Sequence, residues 1–561
     1  QEFTFGFPSL PMNLQQSRLP DPCRSFQTPI TPTRPIRIVL KALNKFCDIT
    51  QYNTIVNGYR RSESSSEALI SDFMRCNSKY QPIIRDKYYL TALDIVEELF
   101  RPPQLFRPVH YCDLRYYPWT ISTSVEAPFS TDPSLKEKIS AAFKAGLLEN
   151  SKMTFHNCYN YVFNYLRPLV HMIKEGKAKG NKFMYWNTAH ARSHLVSEDQ
   201  PDKIRMVHGV PKITLFVELM FLWPLFNFLR LGTTPIAWGF ETLRGGLYKI
   251  SSLAATHEYS IMTWLCLDWS MFDKLARYEI VDDVHLIWRK YLDFTSGYIP
   301  TKSYPSTRSQ PIRLERLWKW MRNAVKFTPI RLPDGSEWKR VHSTIASGLL
   351  QTQVLDTFVN AIMLITCLLA LGYEITASTF MKLLGDDSII GLKEFVPESE
   401  FEHLLKDLAV EAKRRFGAVL NTKKSGIFRS LEGTNFLGYI NNNSIPKRDE
   451  LALLAQLLYP ERHWNIDRLA ARAVGITWAS CGQSDLVYNV CKDVYDFCIK
   501  CGAKPDPAGF PYLQFIAGDV DLNLDIFPTR PELVAHLLEV PSSSSKLDER
   551  FWPSDHFLSR F

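Results

Sequence analysis

Residues 383–392 read LLGDDSIIGL: a glycine and two adjacent acids with apolar residues on either side. Gly and Asp are turn formers, so the bland reading is a solvated hairpin tip. Adjacent carboxylates repel, however, and a buried pair is costly unless something neutralises it. A metal ion would do so. Which reading holds depends on what else the chain carries, and in what order.

Working outward, TFMKLLGDDSIIGL reads as strand, tight turn, strand, with the acids at the turn. Upstream, residues 261–268 (IMTWLCLD) form a short apolar run ending in Asp268, which suits a buried strand with an acid at its carboxyl end. Between them, WSMFDKLARYEIVDDVHLIWRKYL has helical periodicity. STIASGLLQTQVLDTFVNAIMLITCLLALGY begins as a small-residue loop and becomes a long helix. After the acids come an amphipathic helix, SEFEHLLKDLAVEAKRRFG, and a further hairpin, GTNFLGYINNNSIPK. Strand, helix, helix, hairpin, helix is the order of a split βαβ sheet backed by helices. That layout sets the strand ending at Asp268 beside the hairpin bearing Asp386 and Asp387, so three carboxylates converge at one edge. Converging carboxylates suit hard cations. Mg²⁺ takes a couple of them together with waters and substrate phosphates, and two such ions about 4 Å apart meet the needs of nucleotidyl transfer.

The chain's 561 residues exceed a single core, and 45% hydrophobic with 22% charged content excludes a largely disordered protein. A net charge of +8 is compatible with a polyanionic partner without identifying one. The 11 scattered cysteines lack framework spacing, which points to reduced thiols and an intracellular compartment. Cys481, Cys491, Cys498 and Cys501 form one cluster. The helical spacing of DLVYNVCKDVYDFCIKC favours buried helix cysteines over a zinc site. QEFTFGFPSL does not have the pattern of a signal peptide. ITLFVELMFLWPLFNFLRLG is interrupted by Glu218, Pro224 and Asn227, and NAIMLITCLLALGY is short, so both are expected as buried helices and no membrane partner is expected.

Taken in order, DWSMFD, SGLLQT and GDD resemble the palm motifs of viral RNA-dependent RNA polymerases. SEDQPDKIRMVHGVPK resembles the basic fingers motif that grips the triphosphate, and FGAVLNTKKSG and NFLGY resemble the two motifs that follow GDD. YPERHWNIDRLAARAVGITWAS resembles the early thumb of the partitiviruses, double-stranded RNA viruses of fungi, plants and protists, with the picobirnaviruses as near relatives. Each motif is weak alone; their common order is specific.

The resemblance implies an α+β right-hand polymerase of fingers, palm and thumb, with a split βαβ palm sheet and a largely helical periphery. Its boundaries fall at 1–36 (N-terminal arm), 37–250 (fingers with an N-terminal extension), 251–284 (palm), 285–340 (fingers insertion), 341–440 (palm), 441–540 (thumb) and 541–561 (C-terminal tail). The implied enzyme is a primer-independent RNA-directed RNA polymerase using two Mg²⁺ ions, with Mn²⁺ as a substitute. Its implied partners are RNA template and product, ribonucleoside triphosphates and a viral capsid protein, inside the virion within the host cytoplasm.

Carried over by position, Asp268 and Asp386 hold both metals and Asp387 is the more peripheral acid. Asp273 faces the nucleotide sugar, and Ser347 and Gly348 form a flexible loop that feels template and sugar. The absence of a Cβ at Gly348 suits close approach to a nucleic-acid backbone. Thr352, Asp356 and Asn360 share one helical face. Single-stranded positive-sense relatives usually have Asn where Asp356 stands, so the sugar contact is assigned to Thr352 and Asn360, with Asp356 left open. Arg205 is the expected triphosphate contact because its planar fork matches phosphate oxygens, with Lys203 and Arg192 as further candidates. Lys424 is the expected general acid for the leaving pyrophosphate, with Lys423 as the neighbouring alternative. SVEAPF (residues 124–129) is placed as a loop guiding the template, and the aromatic tail FWPSDHFLSRF in or near the active-site cleft. Two other readings stay open: a reverse transcriptase, against which Leu384 stands where an aromatic residue is typical, and a non-enzymatic RNA-packaging protein.

Overall fold

The computed structural model describes residues 11–21, 33–461, 465–509, 522–538 and 549–561. Much of the N-terminal arm (1–10 and 22–32), the RHW of YPERHW (462–464) and the first part of the tail (541–548) lie outside the described residues.

Two sheets organise the chain. The first has five strands in the order β1 (Leu14–Arg18), β6 (Glu337–Arg340), β5 (Ile330–Arg331), β2 (Asn187–Ser193) and β3 (Ile204–Gly209). The second has four antiparallel strands in the order β7 (Phe380–Leu384), β8 (Asp387–Leu392), β4 (Thr263–Cys266) and β9 (Gly426–Phe428). This second sheet is the one expected from the strand–hairpin order: Ile390 lies opposite Leu265 and Gly391 opposite Trp264.

Helices cover the sheets. The two most apolar stretches form α3 (Lys212–Leu229) and α6 (Thr352–Ala370). By length and composition both could cross a membrane, yet the protein interior buries them, α3 completely. A helix that is apolar all round is a core helix when protein surrounds it. The helix expected from residue 269 onward is broken. A two-residue strand and a single helical turn (Phe272–Leu275) precede α4 (Tyr278–Tyr291). The cause is a crossing segment: the N–H groups of Thr344 and Ile345 bond the carbonyls of Ala276 and Asp273, which a continuous helix would use itself.

Packing joins segments far apart in sequence. Helix α1 (Thr33–Phe46) and the helix Ile49–Asn57 share a core with the C-terminal helices α8 (Glu450–Leu458), α9 (Ile466–Ala479), α10 (Asp485–Lys500) and α11 (Arg530–Leu538). Residues 38–55 thus pack with elements far later in the chain, and with Leu243. Cys481, Cys491 and Cys498 are buried in this core, with Cys491 and Cys498 on one face of α10, while Cys501 is exposed.

The described part of the tail docks outside the acid-bearing edge. Trp552 and Phe557 stack on each other and meet Trp223 of α3 edge-on, and the Trp223 indole donates to the Phe551 carbonyl at 2.6 Å. His556 pairs with Asp113 at 2.8 Å, and Arg107 holds the Phe561 carbonyl oxygen at 2.8 Å. Residues 549–561 thus seat on α3 and the 107–116 and 298–304 segments.

Candidate active site

The two acids of the opening motif sit where β7 turns into β8. Leu384 pairs with Asp387, so Gly385 and Asp386 are the two turn residues, and Gly385 takes φ +61°. A tight two-residue hairpin of this kind requires a glycine at a positive-φ position. Asp268 follows β4, the strand beside β8. The backbone next to Asp268 is fixed by the 421–425 loop: Asn421 donates to the Asp268 carbonyl at 2.8 Å, and the Asp268 N–H donates to Ser425 Oγ at 2.9 Å.

The electrostatics show that these acids crowd one another. Burial, then Asp273 and Asp268, pushes Asp386 up to about 6. Burial and Asp386 push Asp387 up to about 7. Burial raises Asp268 while Lys424 and Lys203 pull it back. Among the described residues, no three His, Cys, Asp or Glu side chains are gathered tightly enough to hold an ion by themselves. The donor set fits Mg²⁺ nonetheless, because that ion takes one or two carboxylates and fills its shell with water and substrate phosphate. Asp268 and Asp386 supply two hard oxygen donors whose repulsion a cation would relieve. Asp387 is the more enclosed acid, and its Oδ2 accepts the Leu437 N–H at 2.9 Å.

Helix α6 braces this edge and carries Thr352, Asp356 and Asn360, the residues expected near the sugar. Asn360 is fully buried and both ends of its amide are used: Trp269 Nε1 donates to Oδ1 at 2.8 Å, and Nδ2 donates to the Gly385 carbonyl at 3.1 Å. It ties β4's continuation to the acid turn, so its amide is taken up within the protein. One turn earlier, Asp356 lies against Asp273. Burial and that neighbour hold the Asp356 carboxyl far above its ordinary range. Thr352 is also committed, donating to the Ala346 carbonyl at 2.6 Å.

Cations face the acids. Arg205, pointing out from β3, meets Asp273 at 3.4 Å. Partial burial lowers the Lys203 ammonium, and the adjacent charges of Lys424, Arg205 and Arg75 lower it further. Lys424, not its neighbour Lys423, is the lysine that acts on Asp268. Arg192 pairs with Arg205 across the ladder, but its guanidinium reaches Glu461 at 3.8 Å. Arg75 was not singled out from the sequence. It closes α2 (Ser66–Met74), beside Asp72, which accepts the Met206 N–H of β3 at 2.9 Å and pairs with Lys274 at 3.2 Å. No motif marks this contact, because α2 comes to the site only through tertiary packing.

The loop before α6 is held at both ends. Asn13, fully buried, accepts the N–H groups of Val341, His342 and Ser343 at 3.2, 3.0 and 2.9 Å. Glu218, fully buried on α3, accepts those of Leu350 and Gln351 at 3.2 and 3.1 Å. Ser347 bonds His208, and a Cβ on Gly348 would lie 1.9 Å from the His208 carbonyl oxygen. The protein backbone by itself thus requires the glycine. The SVEAPF loop lies against the same strands: Glu126 abuts Gly209 and bonds His190 at 3.2 Å.

Comparison with known proteins agrees with this arrangement. A sequence-family model described as viral RNA-dependent RNA polymerase matches residues 115–494. The RNA-directed RNA polymerase of White clover cryptic virus 1 is 29% identical, the alignment covering 92% of this chain and 91% of that one. The RNA-directed RNA polymerase of Atkinsonella hypoxylon virus is 28% identical, covering 89% of this chain and 81% of that one.

Proposed function

The chain belongs to the viral RNA-dependent RNA polymerase family, and on that premise we propose that it transcribes and replicates the genome of a double-stranded RNA virus by primer-independent, two-metal nucleotidyl transfer. As an RNA-directed RNA polymerase it takes RNA and ribonucleotides as substrates; the reverse-transcriptase and packaging readings give way. The observation that carries the mechanism is the meeting of crowded acids with a cationic wall: half-buried Asp268 and Asp386 at the exposed hairpin tip on one side, Lys203, Arg205 and Lys424 on the other.

In this reading residues 251–284 and 341–440 are the palm, 37–250 and 285–340 the fingers, and 441–540 the thumb. Asp268 and Asp386 would hold two Mg²⁺ ions, with Asp387 the peripheral acid; bound, the ions would neutralise charge on the attacking and leaving oxygens. Arg205 and Lys203 bind the triphosphate, and Arg205 leaves Asp273 for phosphate as the nucleotide arrives. The 3′-hydroxyl of the growing strand loses its proton to solvent as its oxygen bonds the α-phosphorus, the bond to pyrophosphate breaks, and Lys424 gives a proton to the leaving oxygen and regains one from solvent. Asp273 and protonated Asp356 recognise the ribose hydroxyls, since a neutral carboxyl can donate where a carboxylate only accepts. The enzyme works inside the virus particle with the capsid protein as its structural partner.

The test is labelled ribonucleotide incorporation on a single-stranded RNA template with Mg²⁺, wild type beside Asp386→Ala and Asp268→Ala. Loss of about three orders of magnitude is expected in both folded variants, corresponding to the several kcal/mol a metal site supplies. Full activity in either variant rejects the metal assignment.

A further inference from the structure

We propose that His208 is a positioning residue that couples the phosphate-gripping strand β3 to the loop ahead of α6. This goes beyond the polymerase reading above and rests on it for its functional meaning.

Three groups of this one residue touch two successive loop residues. The His208 N–H donates to Ser347 Oγ at 3.1 Å. The Ser347 N–H donates back to His208 Nδ1 at 3.3 Å. The His208 carbonyl oxygen lies so close to Gly348 that a Cβ there would come within 1.9 Å of it. For Nδ1 to accept, the imidazole must be neutral with its proton on Nε2. The surroundings enforce that state: His208 is buried, and Arg340 and Lys274 add like charge. Among the described residues, its buried Nε2 has no hydrogen-bond partner. An imidazole that leaves one nitrogen unpaired while Nδ1 meets the loop backbone is a costly choice for mere filling.

The placement of His208 gives the contact its meaning. The inward-facing residues of β3 are Ile204, Met206 and His208, and the outward-facing ones include Arg205. The strand therefore presents Arg205 to Asp273 on one face and His208 to the loop on the other. The loop's ends are fixed by elements remote from the triphosphate, Asn13 before it and Glu218 after it. Its centre is fixed by the strand that carries the phosphate contact. When Arg205 shifts from Asp273 to phosphate, β3 moves, and through His208 the Ser347–Gly348 pair moves with it.

The experiment compares wild type, His208→Leu, which keeps bulk and removes the acceptor, and His208→Asn, whose Oδ1 can stand where Nδ1 stands. Hydrogen exchange is measured for the peptide spanning residues 343–350, with melting to check folding. Single-nucleotide incorporation is measured with ribo- and deoxyribonucleotides. Loop exchange is expected to rise about tenfold in His208→Leu and to return toward wild type in His208→Asn. The KM for ribonucleotide should rise about tenfold in the Leu variant with RNA affinity unchanged, and fall back in the Asn variant. Unchanged loop exchange in His208→Leu, or an Asn variant no better than Leu, overturns the coupling. Absence of incorporation by wild type counts against the polymerase reading instead, and the exchange arm still decides the coupling.

Discussion

Asp356 differs from Asn360 only by one helical turn, yet the two have opposite fates. Asn360 is roofed by Trp269 and the Gly385 backbone, and Asp356 opens toward Asp273. If Asp356 donates its proton to Asp273, an amide can do the same and an alanine cannot. Asp356→Asn should keep the preference for ribonucleotides, and Asp356→Ala should lower it about tenfold, the worth of one hydrogen bond in a protected site. The ratio of kcat/KM for ribo- and deoxyribonucleotides measures this, and equal ratios in the Ala variant and wild type would exclude Asp356 from sugar recognition. Helical spacing in the sequence placed Thr352, Asp356 and Asn360 on one face. It could not give depth along that face, because depth is set by what crosses the helix from β4 and the acid turn. The acid-bearing turn was legible for the opposite reason: adjacent acids in an apolar hairpin need an explanation at the level of local sequence alone. At Gly348 the residue type was legible and its cause was not, since the oxygen it makes room for belongs to His208, far away in sequence.

At the scale of elements, the hairpin β7–β8, the strand β4 and the helix α6 follow from periodicity and turn chemistry, whereas their anchors do not. Glu218 interrupts an apolar stretch and looks like a flaw in a helix, but it caps α6 from outside: a buried carboxylate accepts two backbone N–H groups at the positive end of the helix. Burial outweighs those bonds and pushes Glu218 from its ordinary value of 4.5 up to about 7. The folded state therefore holds a proton that the unfolded state loses at lower pH. The Glu218 contribution to stability is greatest below pH 4.5 and declines as the pH rises through 7, by about 3 kcal/mol in all. Glu218→Gln cannot titrate, so its stability relative to wild type should improve by up to about that amount between pH 5 and pH 8. Denaturant midpoints at several pH values would show the change, and a pH-independent difference would mean that Glu218 does not titrate in this window. Asn13 has a similar anchoring role with no motif to announce it, because a nest for three successive N–H groups exists only after β1 has paired with β6.

At the scale of the whole molecule, the two ends of the chain are fastened to parts far from them in sequence. The N-terminal helices share the core of the C-terminal ones, and Arg61 reaches across to the Tyr459 carbonyl at 2.5 Å. In turn, residues 549–561 leave that cluster and seat on α3, with Phe551, Trp552 and Phe557 buried. The aromatic content of the tail announced that it would dock; the address depended on the shape around Trp223, which no local pattern encodes. Burying three aromatic side chains contributes several kcal/mol at about 25 cal/mol per Å² of apolar area. Because the segment ties the C-terminal end of the chain to α3, whose Glu218 caps α6, its loss should loosen the frame of the site and leave the chemistry in place. Deleting residues 549–561 should lower the thermal midpoint by several degrees, while the first nucleotide incorporated and the start position on the template stay as in wild type. Melting curves and sequencing of product 5′ ends check the two halves separately. A shifted start position with an unchanged midpoint would move the tail from the frame to the initiation site, and Trp552→Ala, which removes one anchor and keeps the chain length, would then reproduce the shift only if that ring itself reaches the template.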